Sequence, residues 1–371
     1  MTRRRRSSRP PRRDAAVHEP GVRLWPWLLA ALVSLALLAT AMIVLPHVRH
    51  PGVGRNVDLE VVDGASDAEL VARLTAAGVI DHPRLFALYL RLVGGARAQP
   101  GRHLLADDLA AAEVLKRLRR SADATRVKVT IPEGFATFDI ARRLHDKRVC
   151  DGAAFLAAAN ERSLLDEVGV PARTAEGWLF PATYVLPADG DARAVARAML
   201  QEGKTRIDRL LRDHPAGVDE LQRTLGWGPA EIVTLASIVE KEAAVDDERP
   251  LIASVFLNRL RDPTFVPHRL QADPTAAYGC WVQSPPSCAS YLAAGGGKPT
   301  VELEHDPDND WSSYTHEGLP PTPIASPGER SLVAVLDPAR ARWLYFVAKG
   351  GGRHTFSETL DQHNKAVQGK P

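Results

Sequence analysis

The chain has 371 residues, 45% of them hydrophobic and 25% charged, with a formal net charge of +2. This ordinary globular composition allows two or three domains with a sizeable core, and the near-neutral balance argues against a nucleic-acid footprint. The basic excess is local, with Arg3, Arg4, Arg5, Arg6, Arg9, Arg12 and Arg13 crowding the start, and three cysteines are too few for a disulfide scaffold.

Residues 1–23 are rich in Arg, Pro and Ser without periodicity and read as a disordered tail. Residues 24–46 read as a transmembrane helix. The stretch 28–45 carries only Ser34 and Thr40 as polar residues and no charge, about the length that spans a bilayer. Trp25 and Trp27 suit its interface, and the preceding arginines place that end in the cytoplasm. The small-residue run Ala39-Thr40-Ala41 leaves a cleaved signal peptide as the alternative. The apolar run continues through Leu45, which favours an uncleaved anchor.

Residues 47–56 are a short linker. Residues 57–125 read as a small α/β unit: a strand in VDLEVV, helices over 67–77 and 83–93, a return strand from Gly101, and a third helix over 109–119. From residue 126 a larger mixed α/β domain follows. Its opening, VKVTIPEGFATFDIARRLHDKRV, repeats the strand–turn–helix plan of 59–80, which suggests an internal duplication. Helices are expected over 155–168, 192–214 and 218–225.

The stretch GPAEIVTLASIVEKEAAVDDERPLIASVFLNRLRD, residues 228–262, reads as two consecutive helices. Gly228, Pro229 and Glu231 mark the start of the first. Asp246 or Asp247 caps the second, and Pro250 lies in its first turn. Ala236, Ser237, Ala243 and Ala244 share a face with Glu240, leaving room against its carboxylate. A carboxylate in an apolar setting has a raised pKa and can donate a proton near neutral pH. A surface Glu paired with Lys241 is the plainer reading of the same position.

Beyond these helices the chain reads as loop-rich. Gln271-Ala272-Asp273-Pro274-Thr275 suggests a turn, and GLPPTPI, from Gly318 and Leu319 onward, a stiff extended segment. YFVA and HTF read as a hairpin, with a closing helix over 360–367. Cys280 and Cys288 bracket a short loop, a plausible local disulfide outside the cytoplasm. Asp306, Asp308, Asp310 and Glu317 fall at calcium-loop spacing, but Trp311 stands where that loop needs Gly. No motif points to a metal or cofactor.

ASIVEKE, ERPLIASVFLNRL, LQADPT, GLPPTPI and YFVAKGGGRHTF stand in an order and spacing that closely resemble the endolytic murein transglycosylase, or YceG-like, family. Glu176 opens EGWLFPATY, which also matches. The resemblance runs from about residue 55 to 367. It implies an α+β fold, a LysM-like first subdomain, and a single-pass protein of the inner (cytoplasmic) membrane with its catalytic domain outside. It implies cleavage after N-acetylmuramic acid in peptidoglycan strands, giving 1,6-anhydro ends, without a cofactor. Partners would be the glycan itself and wall-synthesis enzymes such as penicillin-binding proteins. The first Glu of VEKE, Glu240, becomes the expected catalytic acid/base. Ser237, Gln271, Tyr314, Gly318, Leu319 and Glu176 are the expected substrate-binding residues. His354 and Asn364 match polar positions of its last motifs. Glycoside hydrolysis ordinarily needs two carboxyls. Asp273 and Glu242 are the nearest candidates for a second, which keeps a hydrolase open, as it does a non-catalytic wall-binding scaffold.

Overall fold

The computed structural model describes residues 25, 28–30, 32–34, 40, 44–48, 51–52, 54–122 and 126–369. The tail over 1–23 and most of the expected span over 24–46 lie outside them. Contacts divide the chain into Met1–Val48 and Arg49–Pro371. In the first unit, the described Leu28, Leu29, Leu32 and Val33 are helical and exposed. Among the described residues no helix is long and apolar enough to cross a membrane.

The second unit opens with β1 (Asn56–Val61), α1 (Asp67–Ala76), α2 (Pro83–Leu92), β2 (Gly101–Ala106) and α3 (Ala111–Leu118). β1 and β2 pair antiparallel, with Leu59 opposite His103. Leu59, Leu70, Leu74, Phe86, Leu90 and Val114 form a core of their own. α1 starts where the sequence says it should. Ser66 Oγ accepts from the Glu69 N–H at 3.2 Å, and Glu69 returns the bond to the Ser66 N–H at 2.9 Å.

The plan then recurs. β3 (Arg126–Thr130), α4 (Thr137–Asp146), α5 (Gly152–Ala159) and α6 (Arg162–Val168) lead to β4 (Thr183–Pro187), which pairs antiparallel with β3. Gly64 and Gly134 turn at φ 76° and 75°. Leu74 and Leu144 are buried at matching positions, as are Val79 and Val149. The expected single helix over 155–168 is broken between α5 and α6, where Asn160 caps α5 and its Oδ1 accepts from the Ala175 N–H at 3.1 Å.

α7 (Ala192–Asp213) and α8 (Pro215–Leu225) lead to the central pair α9 (Pro229–Glu242) and α10 (Arg249–Arg261). α9 is apolar through Ile232, Val233, Leu235, Ile238 and Val239, all fully buried in the main core. A carboxylate at its first turn complements the free N–H groups, and Glu231 Oε2 accepts from the Gly228 N–H at 2.9 Å.

Past α10 the structure is more helical than the sequence suggests. Asp273-Pro274 does not merely turn; it opens α11 (Asp273–Gln283). Short α12 (Ala289–Ala293) and α13 (Val301–Glu304) follow, then α14 (Glu329–Leu336). α14 packs across both central helices. β5 (Tyr345–Gly350) and β6 (Arg353–Ser357) form the expected hairpin, and α15 (Leu360–Gln368) closes the chain. With three separate two-stranded sheets among the described residues, the class is α+β.

Candidate active site

The last turn of α9 leaves the core carrying two carboxylates. Residues two apart on a helix point to nearly opposite sides, so Glu240 and Glu242 meet different neighbours.

Glu240 turns toward α14. Its Oε2 accepts from the Gly328 N–H at 3.0 Å and the Ser331 hydroxyl at 2.7 Å, and its Oε1 from the Arg249 guanidinium at 3.0 Å. Both side chains of this ion pair are 7% exposed. Arg249 also reaches Asp246 at 2.7 Å and Ser331 Oγ at 3.0 Å. A Cβ on Gly328 would meet the Glu133 carboxylate, which would have to move aside. Glu240 is therefore not the open acid that the sequence reading expects. Its lone pairs are taken by fixed donors and its face is covered by α14.

Glu242 turns toward α10 and α11. It has no hydrogen bond or ion pair among the described residues. Crowding by protein raises its pKa to about 8, repulsion from Asp273 adds to the shift, and Arg259 opposes it. Asp273, the first residue of α11, accepts a hydrogen bond from the Tyr314 hydroxyl at 2.5 Å. Burial first, and Asp273 next, push the Tyr314 phenol up, keeping it a donor. Arg259 donates to the carbonyls of Leu344, at 2.6 Å, and Leu270. Its guanidinium lies over the Phe265 and Tyr345 rings at 5.3 and 5.6 Å. Burial lowers its pKa to about 10, which leaves it cationic at neutral pH. This side of the helix end therefore holds a free carboxyl that stays protonated at pH 7, a second carboxyl tied to a tyrosine, and a buried cation.

The other expected residues divide between this site and the interior. Gln271 is exposed two residues before Asp273, at φ 53°, with its N–H on the Ser313 carbonyl at 3.1 Å. Tyr314 is in the site. Ser237 is fully buried, donates to the Thr234 carbonyl at 2.7 Å and accepts from the Ile324 N–H at 3.0 Å, so it pins GLPPTPI to α9. Glu176 is 3% exposed and accepts from the Thr137 N–H at 3.0 Å and the Tyr278 hydroxyl at 2.9 Å. Neither faces an opening. Gly318 donates its N–H to the His268 carbonyl at 2.8 Å. With Leu319 it lines a hollow of about 410 Å³ beside Trp227 and Glu231. That hollow lies at the start of α9, about 20 Å of helix from Glu242.

His354 braces rather than lines the site: its N–H and Nδ1 meet the buried carboxylate of Glu248, Nδ1 at 2.8 Å. Asn364 is exposed on α15. Cys280 and Cys288 are joined, with Cα atoms 5.4 Å apart. No cluster of His, Cys, Asp and Glu among the described residues is arranged to hold a metal ion, the acidic run over 306–317 included. Sequence reasoning gave no role to Arg249 or Arg259, although both sit in ERPLIASVFLNRL. An arginine inside an apolar helical stripe is the signal that marks them, since it is buried only when paired.

The profile of the YceG-like family matches residues 59–369. The endolytic murein transglycosylase of Bacillus subtilis is 26% identical over 328 residues, covering 84% of each chain. The enzyme of the same name from Streptococcus pneumoniae is 25% identical, over 84% of this chain and 58% of its own longer one. A crystal structure of a protein described as yceG-like, from Listeria monocytogenes, superposes with a TM-score of 0.53. It is 26% identical and covers 84% of this chain and 99% of that one.

Proposed function

The chain belongs to the YceG-like family, and on that premise we propose that it is a membrane-anchored lytic transglycosylase that cuts peptidoglycan strands internally. The relatives named endolytic murein transglycosylase support this class of enzyme. The observation that carries the assignment of the acid is Glu242: an unpartnered carboxyl with its pKa raised to about 8, beside Asp273 and Arg259.

In this reading Glu242 replaces Glu240 as the proton-transfer group. Protonated Glu242 gives its proton to the glycosidic oxygen as the bond to C1 of N-acetylmuramic acid breaks. Positive charge develops on the ring, and the Asp273 carboxyl, held by Tyr314, supplies a facing negative field. The carboxylate left on Glu242 then takes the proton from the sugar's own C6 hydroxyl as that oxygen closes onto C1. The product is a 1,6-anhydro end, and Glu242 is protonated again. One residue serves both steps because water is not the nucleophile. Glu240, with Arg249, Gly328 and Ser331, holds the helix end from which Glu242 projects.

The segment 24–46 is the anchor in this proposal, with residues 1–23 cytoplasmic and the rest outside. The strand–helix–helix–strand unit in 57–125, read as LysM-like, spaces the catalytic domain, 126–371, from the membrane. A short tether suits strands still close to the machinery that makes them, including penicillin-binding proteins.

Mass spectrometry of purified glycan strands treated with the full chain tests the proposal. Anhydro-ended fragments are expected from the wild type and from no Glu242→Gln digest. Fragments one water heavier would assign a hydrolase working with Asp273. Unchanged cleavage by Glu242→Gln would remove the assignment of the acid.

A further inference from the structure

We propose that Trp281 is a built saccharide-stacking platform, a subsite for a sugar of the same glycan strand remote from the bond that is cut. The proposal rests on the glycan-cleaving reading above. Trp281 stands on α11, the helix whose first residue is Asp273, and is 42% exposed. Eight residues separate the two, so the indole lies about 12 Å along the helix from the acid pair, a few sugar units away.

An exposed tryptophan with no role is ordinarily loose. This one is packed against its neighbours on one flank. Its indole lies beside the Tyr291 hydroxyl, both of them against Gly296, and Tyr291 donates to the Gly297 carbonyl at 3.2 Å. One flank rests on Phe138, with ring centroids 5.9 Å apart. Phe138 stacks on the nearly buried Tyr278 at 6.2 Å. The Cys280–Cys288 bond clamps the chain next to the indole. With one flank packed on Phe138, the ring offers solvent an apolar, electron-rich face.

Such a face suits the C–H side of a pyranose, whose weakly positive hydrogens meet the negative face of the ring. It is rigid before the ligand arrives, which lowers the ordering cost of binding. Phe138 also lies in the first turn of α4, behind the Gly134 turn, whose carbonyl accepts from Lys241 Nζ at 3.3 Å. The platform shares α11 with Asp273 and borders, through α4, the turn beside the end of α9. That placement favours a glycan strand over a separate protein partner.

The test measures binding apart from cleavage. Full-length Glu242→Gln and Glu242→Gln with Trp281→Ala are titrated with uncrosslinked glycan strands of graded length. The platform predicts about tenfold weaker binding of long strands for the Trp281→Ala form. It predicts little change for strands too short to reach from the cut site to the indole, and recovery in Trp281→Phe. In the cleaving enzyme, Trp281→Ala raises KM for long strands and leaves kcat in place. Equal affinity at every length overturns the proposal, including the case in which Trp281→Ala disturbs only capture of another protein. Should Trp281→Ala fold poorly, Tyr291→Phe, which keeps the ring beside the indole and frees the Gly297 loop, carries the same expectation in weaker form. Failure of the wild type to release anhydro ends tells against the reaction and leaves the binding comparison standing.

Discussion

Glu240 and Arg249 form an ion pair at 3.0 Å in which each side chain is 7% exposed. The pair ties the end of α9 to the start of α10, and Ser331 joins it to α14. Removing one member of a buried pair leaves the other charge without compensation, at a cost of about 3–5 kcal/mol. Glu240→Ala is therefore predicted to lose that much stability in urea unfolding, while Glu242→Gln unfolds close to wild type and loses cleavage. If both variants kept full stability and only Glu240→Ala lost cleavage, the two roles would be exchanged.

The proton on Glu242 sets a pH limit. Its native pKa, about 8, is raised above the ordinary carboxyl value, so the free enzyme carries the acid form at neutral pH. kcat/KM is predicted to hold through pH 7 and fall as pH rises through about 8, because the donor is then ionised. Repulsion from Asp273 contributes to the shift. Asp273→Asn removes it, and the alkaline limb is predicted to move to lower pH. A limb that stayed fixed would place the titration on another group.

Glu176 makes a separate prediction about stability. Burial raises its pKa to about 7, although Thr137, Tyr278 and Gly177 all donate to it. A raised carboxyl pKa means that the native state holds the proton more tightly than the unfolded chain. The stability so contributed is complete below the unfolded value near 4.5 and is lost as pH rises through about 7. Compared by chemical denaturation, Glu176→Gln should be most destabilised relative to wild type near pH 5, with the gap narrowing by pH 8. A gap independent of pH would mean that Glu176 stays in one protonation state throughout.

Much of the frame is legible in the sequence, and the reasons are local. Ser66 with Glu69 announces α1, and Gly228-Pro229 with Glu231 announces α9, because a cap is satisfied within one turn. The repeat of β1 and α1 in β3 and α4 is legible because the buried positions recur in register. α11 is missed because Asp273-Pro274 punctuates a turn and a helix start equally well. The choice between Glu240 and Glu242 is not local either. It is decided by Ser331, 91 residues away, which with Gly328 hydrogen-bonds one carboxylate and leaves the other without a partner among the described residues. Periodicity places both acids on the last turn of one helix and says nothing of which side α14 will cover.

The Cys280–Cys288 bond yields the last expectation. It closes a loop across a separation of 8 residues, for which chain entropy gives about 2.5 kcal/mol. Both sulfurs sit with Ala276 and Leu303 in a cluster separate from the two larger cores. Reduction should therefore loosen this corner without melting the molecule, since local openings follow local contacts. Hydrogen exchange with and without reductant is predicted to show faster exchange over 283–300 and no change in α9. Because Trp281 adjoins Cys280, reduction should also weaken binding of long strands while leaving the pH limb of Glu242 where it was. Exchange rising equally through α9 would instead make the bond a support of the whole catalytic fold, and any effect on strand binding would then say nothing about the platform.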